Sequence, residues 1–440
     1  MERVTATDAR AHGPEAEVVT HQVVEPPLSL RSRLAGGAVL VVVGLVCALL
    51  LGLSVAGAAH ADFVLSPDSP RLSVTLPARV SCLVLGVVVV LLGAWQAAHG
   101  WRRQAMRWVI SASVLCFVVG FLCWAVAGGP GSSFDLLGLL QNTLLTAVPL
   151  ILGALAGVVC ERSGVINVAI EGQMLVGAFA GALVASIAGN LYLGIVGAMV
   201  AGGLMGLLLA VFAIRYLVDQ VVLGVVLNVF AMGLTGFAYD ALMQPNTEAL
   251  NSPATFDPIA VPLLSKIPVL GPLLFDANII VYLMYVLIIV VDVALFRTRW
   301  GLRTRAVGEH PKAADTVGIK VRATRYRNVM MGGAVAGLAG AFLTIGAIGA
   351  FNKNISSGKG FIALAAVIFG RWSPRGAIAA ALLFGFCDAL ATVLSFTQTP
   401  VSIPSNILLM LPYLVTVFAV AGLVGRVQAP AADGQPYVKE

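Results

Sequence analysis

The chain is 440 residues long, 59% apolar and only 11% charged; a soluble domain carries about 25% charged residues, so a wholly aqueous protein is excluded. The formal net charge of +6 is spread over short loops and forms no basic domain, which argues against a nucleic-acid partner and fits membrane orientation. The apolar residues cluster in runs of roughly 20, the length of helix that crosses about 30 Å of hydrocarbon. Several runs are rich in Gly and Ala, which suits close helix packing in lipid.

In chain order, residues 1–30 are polar and read as a disordered cytoplasmic tail. Arg31 and Arg33 precede the first apolar run, about 34–58, which ends at Ala59-His60-Ala61. That triplet has the form of a signal-peptidase site, but the run exceeds the about 7–15 residues of a secretory core, so it is expected to stay as an anchor helix. Further runs follow at about 80–98, 108–127, 141–159, 168–189, 191–214, 218–241, 276–296, 326–349, 360–370, 376–396 and 405–424. The run at 360–370 is too short for a full span and reads as a half-helix or re-entrant segment. The expected fold is all-α: a polytopic transmembrane helical bundle of about twelve spans.

Alternating these spans from a cytoplasmic N-terminus places most loop Arg and Lys residues inside. The outer side receives only Arg71, Arg79, Lys266, Lys353 and Lys359, which puts both termini in the cytoplasm. Two loops are long: 242–275, Pro-rich and outside, and 297–325, basic and inside. The six cysteines sit in or beside apolar runs without metal or redox spacing and read as small packing residues.

The inner loop carries the first motif, Gly308-Glu309-His310-Pro311-Lys312-Ala313-Ala314-Asp315-Thr316-Val317-Gly318. Pro311 suits a first helical turn, Glu309 its positive end, and Gly318 its termination. Ala313, Ala314 and Val317 then share a small apolar face suited to a groove on a cytoplasmic partner; a solvated loop that only enforces topology is the alternative. The second motif follows Arg162. Glu171 lies about 14 Å further along a helix, near mid-membrane, with Asn167 on the same face and Gln173 just beyond. A carboxylate at that depth needs a cavity or a partner, so it is either a transport residue or a latch between helices. Asn228 lies mid-span and is a candidate for the same cavity or for an interhelical hydrogen bond. Asp388 is a further pore candidate, and Asp292 suits a local ion pair. Gly358-Lys359-Gly360 lacks the rest of a phosphate loop, and the histidines have no zinc spacing, so neither an enzyme site nor a metal or cofactor is expected.

At this point the sequence resembles a family. Ser163 to Phe179, Gly164-Val165-Ile166-Asn167-Val168-Ala169-Ile170-Glu171-Gly172-Gln173-Met174 at its centre, looks like the signature of nucleoside-type ABC importer permeases. These belong to the broader group of branched-chain amino acid and ribose permeases. Trp300 to Ala314 resembles that family's coupling loop, and Gly360 to Gly376 its segment near the C-terminus. The resemblance implies a permease subunit in the bacterial plasma membrane, without ATPase activity of its own. It implies a cytoplasmic ABC ATPase with two cassettes, a paralogous second permease, an extracytoplasmic substrate-binding lipoprotein and a nucleoside-like solute. It places Asn167, Glu171, Gln173 and Asn228 near the path, and makes Gly308, Glu309, Pro311, Ala313, Ala314, Val317 and Gly318 the ATPase-coupling segment. The implied domains are a two-span addition at 31–107, the permease domain at 108–425 and a cytoplasmic tail at 426–440. Sugar or branched-chain amino acid permeases, and an ion-coupled secondary transporter, are the alternatives.

Overall fold

The computed structural model describes residues 30–57, 59–64, 73–101, 103–127, 133–396, 407, 410 and 428–439. Of the tail expected at 1–30, all but Leu30 lies outside the described residues, as does the run at 405–424 apart from Ile407 and Met410. Among the described residues, ten helices are long and apolar enough to cross a membrane, and each coincides with a run expected from sequence. An eleventh, shorter helix occupies the half-length run.

The chain divides into two compact units, one of Met1–Leu53 with Val80–Phe121, the other of Ser54–Arg79 with Leu122–Glu440. The first contains most of α1 (Arg33–Ser54), α2 (Ala78–Ala98) and α3 (Trp108–Val126). Small residues seven apart bring α1 and α2 together. A Cβ on Gly44 would stand 2.7 Å from the Gly86 carbonyl, and one on Gly93 would stand 2.9 Å from the Gly37 carbonyl. Backbones touch there because, in lipid, packing rather than water exclusion drives helix association. Cys82 donates to the carbonyl of Gly120 at 3.1 Å, and Cys47 and Cys82 are both buried, as small packing residues should be.

The second unit begins with a small sheet that the helical expectation did not include. β1 (His60–Val64) pairs antiparallel with β2 (Ser73–Pro77) and parallel with β3 (Ser133–Asp135). Asp135 then caps α4 (Leu136–Glu161), its side chain accepting from Gly138 N–H at 2.8 Å. After α4 come α5 (Ile170–Ala188), α6 (Leu191–Arg215), α7 (Gln220–Met243) and α8 (Ile279–Arg297). The short helices α9 (Arg299–Glu309) and α10 (Pro311–Thr316) lead to α11 (Val321–Ile348), α12 (Lys359–Phe369) and α13 (Pro374–Phe396).

Two threefold sets of these helices repeat one another with opposite direction. α4, a non-helical stretch at 162–169, α5 and α6 match α11, a non-helical stretch at 349–358, α12 and α13. The packing follows the same exchange: α4 lies on α13 as α11 lies on α6, and α5 lies on α11 as α12 lies on α4. α4 ends where α11 begins, since Arg325 Nε donates to the carbonyl of Ser163 at 3.2 Å. Such antiparallel repeats with interrupted helices are a transporter architecture. The α6–α11 seam is built on Gly337, where an added Cβ would lie 2.2 Å from the carbonyl of Ala198.

The Pro-rich segment 242–275 is anchored at the far end of α11. Asn251 binds the backbone of Phe351 twice, donating to its carbonyl at 2.9 Å and accepting from its N–H at 2.7 Å. Asn278 donates to the carbonyl of Gly346 at 2.8 Å. Phe351 is buried against Phe179 and Tyr239, so the second helix break starts from a fixed point.

Candidate functional site

A helix that starts inside a bundle exposes backbone N–H groups with no intrahelical partner, at its positive end. α5 and α12 both start this way, and their own N-cap residues, Ala169 and Gly358, supply no side-chain acceptor. At α5 the acceptor comes from α7. Asn228 Oδ1 accepts from Gly172 N–H at 2.8 Å, while its Nδ2 donates to the carbonyl of Val168 at 2.9 Å. Asn167 and Gln173 exchange two hydrogen bonds, at 3.0 and 3.2 Å, and tie the break to the second turn of α5.

At α12 the acceptor is Glu171. Its Oε1 accepts from Ser356 Oγ at 2.6 Å and from Gly358 N–H at 2.8 Å, and its Oε2 accepts from Gly360 N–H at 2.6 Å. Glu171 also sits in the first turn of α5, so one carboxylate lies at the positive ends of two oppositely directed helices. That accounts for a buried acid, 7% exposed, that forms no ion pair among the described residues. Asn167, Gln173 and Asn228 are buried too. The four side chains expected beside the path are brought together, but turned into the protein and bonded to one another or to the two breaks.

Lys359, expected in an outer loop, opens α12 next to this clamp and forms an ion pair with Asp388 of α13 at 3.8 Å. Asp292 pairs with a distant residue instead of a helical neighbour: Arg375 Nη2 donates to it at 2.8 Å. Ser356 and Lys359 escaped sequence reasoning as site residues; two polar groups flanking a glycine just before a short apolar run were the available signal.

The segment expected to couple to an ATPase lies against the other end of the first break. A Cβ on Gly308 of α9 would stand 2.3 Å from the carbonyl of Arg162, so α9 rests directly on that backbone. Arg162 Nε donates to the carbonyl of Trp372 at 2.7 Å, and Trp372 Nε1 donates to Glu161. Pro311 opens α10, and Gly318 follows it with φ of +84°. The expected apolar face of α10 is corrected at one position. Ala313 and Val317 point outward, Val317 being 75% exposed, but Ala314 is 3% exposed and packs with Val307, Val321 and Tyr437. Glu309 and His310 are exposed and Gly308 is buried.

Residues 139–420 match the family model described as branched-chain amino acid transport system / permease component. The chain belongs to that family. This permease-family chain is a multi-pass protein of the bacterial plasma membrane. It is 42% identical to the guanosine ABC transporter permease protein NupQ of Bacillus subtilis, over 68% of this chain and 95% of the relative. It is 38% identical to the nucleoside ABC transporter permease protein NupC of Lactococcus lactis, over 68% of this chain and 96% of the relative. A glucose ABC transporter permease protein, TsgB13 of Haloferax volcanii, is 30% identical over 56% of this chain and 67% of the relative. Bacillus subtilis and Lactococcus lactis each contribute a second, more distant match with the same kind of name, at 28% and 25% identity. No solved structure matches the chain.

Proposed function

We propose that this permease is the membrane-spanning subunit of an ATP-driven importer of nucleosides. The observation that carries this reading is the 42% identity to a guanosine permease protein across nearly the whole of that relative. A cytoplasmic ATPase with two cassettes drives it, an extracytoplasmic substrate-binding lipoprotein delivers the solute, and a paralogous permease completes the path. The paired permeases among the relatives support the last of these partners.

In this reading the ATPase grips the exposed side of α10, Ala313 and Val317, and moves α9 against Arg162. The first break then pivots around the Glu171 clamp, and the helices that border the path change the side to which it opens. Asn167, Glu171, Gln173 and Asn228 act as the fixed points of the two breaks.

Val317→Glu is expected to leave the amount of membrane-inserted chain unchanged and to lower ATP-driven uptake about tenfold, a coupling loss of the usual size. Ala314→Glu is expected to lower the amount of folded chain, because it buries an unpaired carboxylate under Tyr437. Immunoblotting of membranes beside uptake assays separates the two.

The substrate is tested with labelled guanosine in cells expressing the whole transporter. Uptake should be competed by other nucleosides, resist an uncoupler while ATP remains, and be indifferent to glucose. Competition by glucose alone would favour the sugar reading that the Haloferax relative raises, and collapse with the uncoupler would favour ion coupling.

A further inference from the structure

The last described stretch of the chain, 428–439, does not project into solvent. It lies across the coupling segment and the first helix break together. Ala432 N–H donates to the carbonyl of Gly308 at 2.9 Å, and Ala431 N–H donates to Glu309 Oε2 at 3.1 Å. Tyr437 is buried among Val307, Ala314 and Val321, and Lys439 pairs with Asp315 at 3.6 Å. These contacts hold α9 and α10. The same stretch also holds the break: Arg325, which donates to Ser163, donates through Nη1 to the carbonyl of Gln435 at 2.9 Å. A Cβ on Gly164 would stand 3.0 Å from the carbonyl of Ala432, and one on Gly434 would stand 2.7 Å from Ile166 Cδ1.

We infer that residues 428–439 are a tie rod of the transport cycle, a positioning segment through which displacement of α10 reaches the break at 162–169 and hence Glu171. The inference rests on the importer reading above and adds the part that joins the ATPase-facing helix to the broken one. Three features support it. One short stretch contacts both ends of the linkage, adding to the contact that Gly308 of α9 makes with the backbone of Arg162 and Gly164. Gly434, with φ of +74°, turns the stretch, so that Ala432 before it meets Gly308 and Gly164 while Gln435, Tyr437 and Lys439 after it meet Arg325, Ala314 and Asp315. The seat is also not fully satisfied: Arg325 Nη2 and Asp433 Oδ1 are buried without a hydrogen-bond partner among the described residues. Burial pushes the Asp433 carboxyl well above the usual carboxylate range, against the opposing pull of Arg325. Unpaired buried groups cost stability, and a contact that must shift during a cycle is one that should not be saturated.

The test uses the complete transporter in native membranes, with Tyr437→Ala, Tyr437→Phe and a chain ending at residue 427. Tyr437→Ala and the shortened chain should keep vanadate-sensitive ATP hydrolysis within about twofold of wild type, yet take up labelled guanosine about tenfold more slowly. Tyr437→Phe, which keeps the buried ring, should restore uptake. Amide exchange provides a readout that needs no solute. Vanadate trapping should alter exchange in 163–171 of the wild type and leave it unaltered in Tyr437→Ala. Normal uptake in both altered chains would overturn the inference. So would a parallel fall in chain level, hydrolysis and uptake, which marks a folding clamp, or an equal vanadate response in wild type and Tyr437→Ala. Failure of the wild type to take up guanosine would instead count against the nucleoside reading, while the exchange experiment would still decide the tie.

Discussion

Glu171→Ala is expected to abolish uptake and to lower the stability of the folded chain at the same time. The carboxylate accepts from Ser356 Oγ and from the N–H groups of Gly358 and Gly360. Removing it strands two buried donors, on Ser356 and Gly360, at about 1–3 kcal/mol each, frees the half-buried Gly358 N–H, and takes a negative charge from two helix N-termini. Glu171→Gln should be milder, because the amide oxygen can serve one donor while the amide N–H₂ opposes another. Thermal unfolding in detergent, followed beside uptake, measures both effects. If Glu171→Ala unfolds at the wild-type temperature and loses only transport, the carboxylate meets solute and the clamp interpretation fails.

Gly360→Ala should be nearly as damaging for the opposite reason, since it keeps the acid and forces the helices apart. The new methyl would lie 2.5 Å from both the N and the Cα of Glu171 and 2.8 Å from its Oε2. Two of those three neighbours are backbone atoms, which cannot swing aside, so overpacking of about 1–3 kcal/mol or more is expected. Gly358→Ala is the control. It sits at a φ of +83° with open space around the would-be methyl, so only the left-handed backbone penalty of roughly 1–2 kcal/mol applies. Uptake should therefore fall steeply for position 360 and modestly for 358. Equal behaviour of the two would mean that α5 and α12 are not in backbone contact.

Hydropathy placed the ten described spans to within about five residues at either end, because a helix in lipid must be both long and apolar. The same signal failed where the chain crosses the interior without forming helix. Residues 349–358 are polar enough to read as an outer loop, and so Lys359 was expected outside. In the fold, Phe351 and Ser356 are buried and Gly360 rests on Glu171. Glu171, Asn167, Gln173 and Asn228 stood out as polar residues at depth, but their partners could not be read. Ser356, Gly358 and Gly360 lie 185, 187 and 189 residues from Glu171, and no local pattern spans such a separation. The exposed face of α10 was half legible. Helical spacing grouped Ala313, Ala314 and Val317, yet Ala314 is covered by Tyr437 from the segment expected only as a cytoplasmic tail.

The mirrored arrangement of the breaks has a bearing on direction. Above and below the level of Glu171 stands similar hardware: a long helix, a gap, a short helix, a neighbour. An interior of that kind contains no arrow, and by itself it would conduct either way. Whatever makes the traffic one-way has to sit where the likeness ends. At one extremity that is the basic apparatus of α9, α10 and the tail, and at the other the proline-studded cover fastened by Asn251 and Asn278.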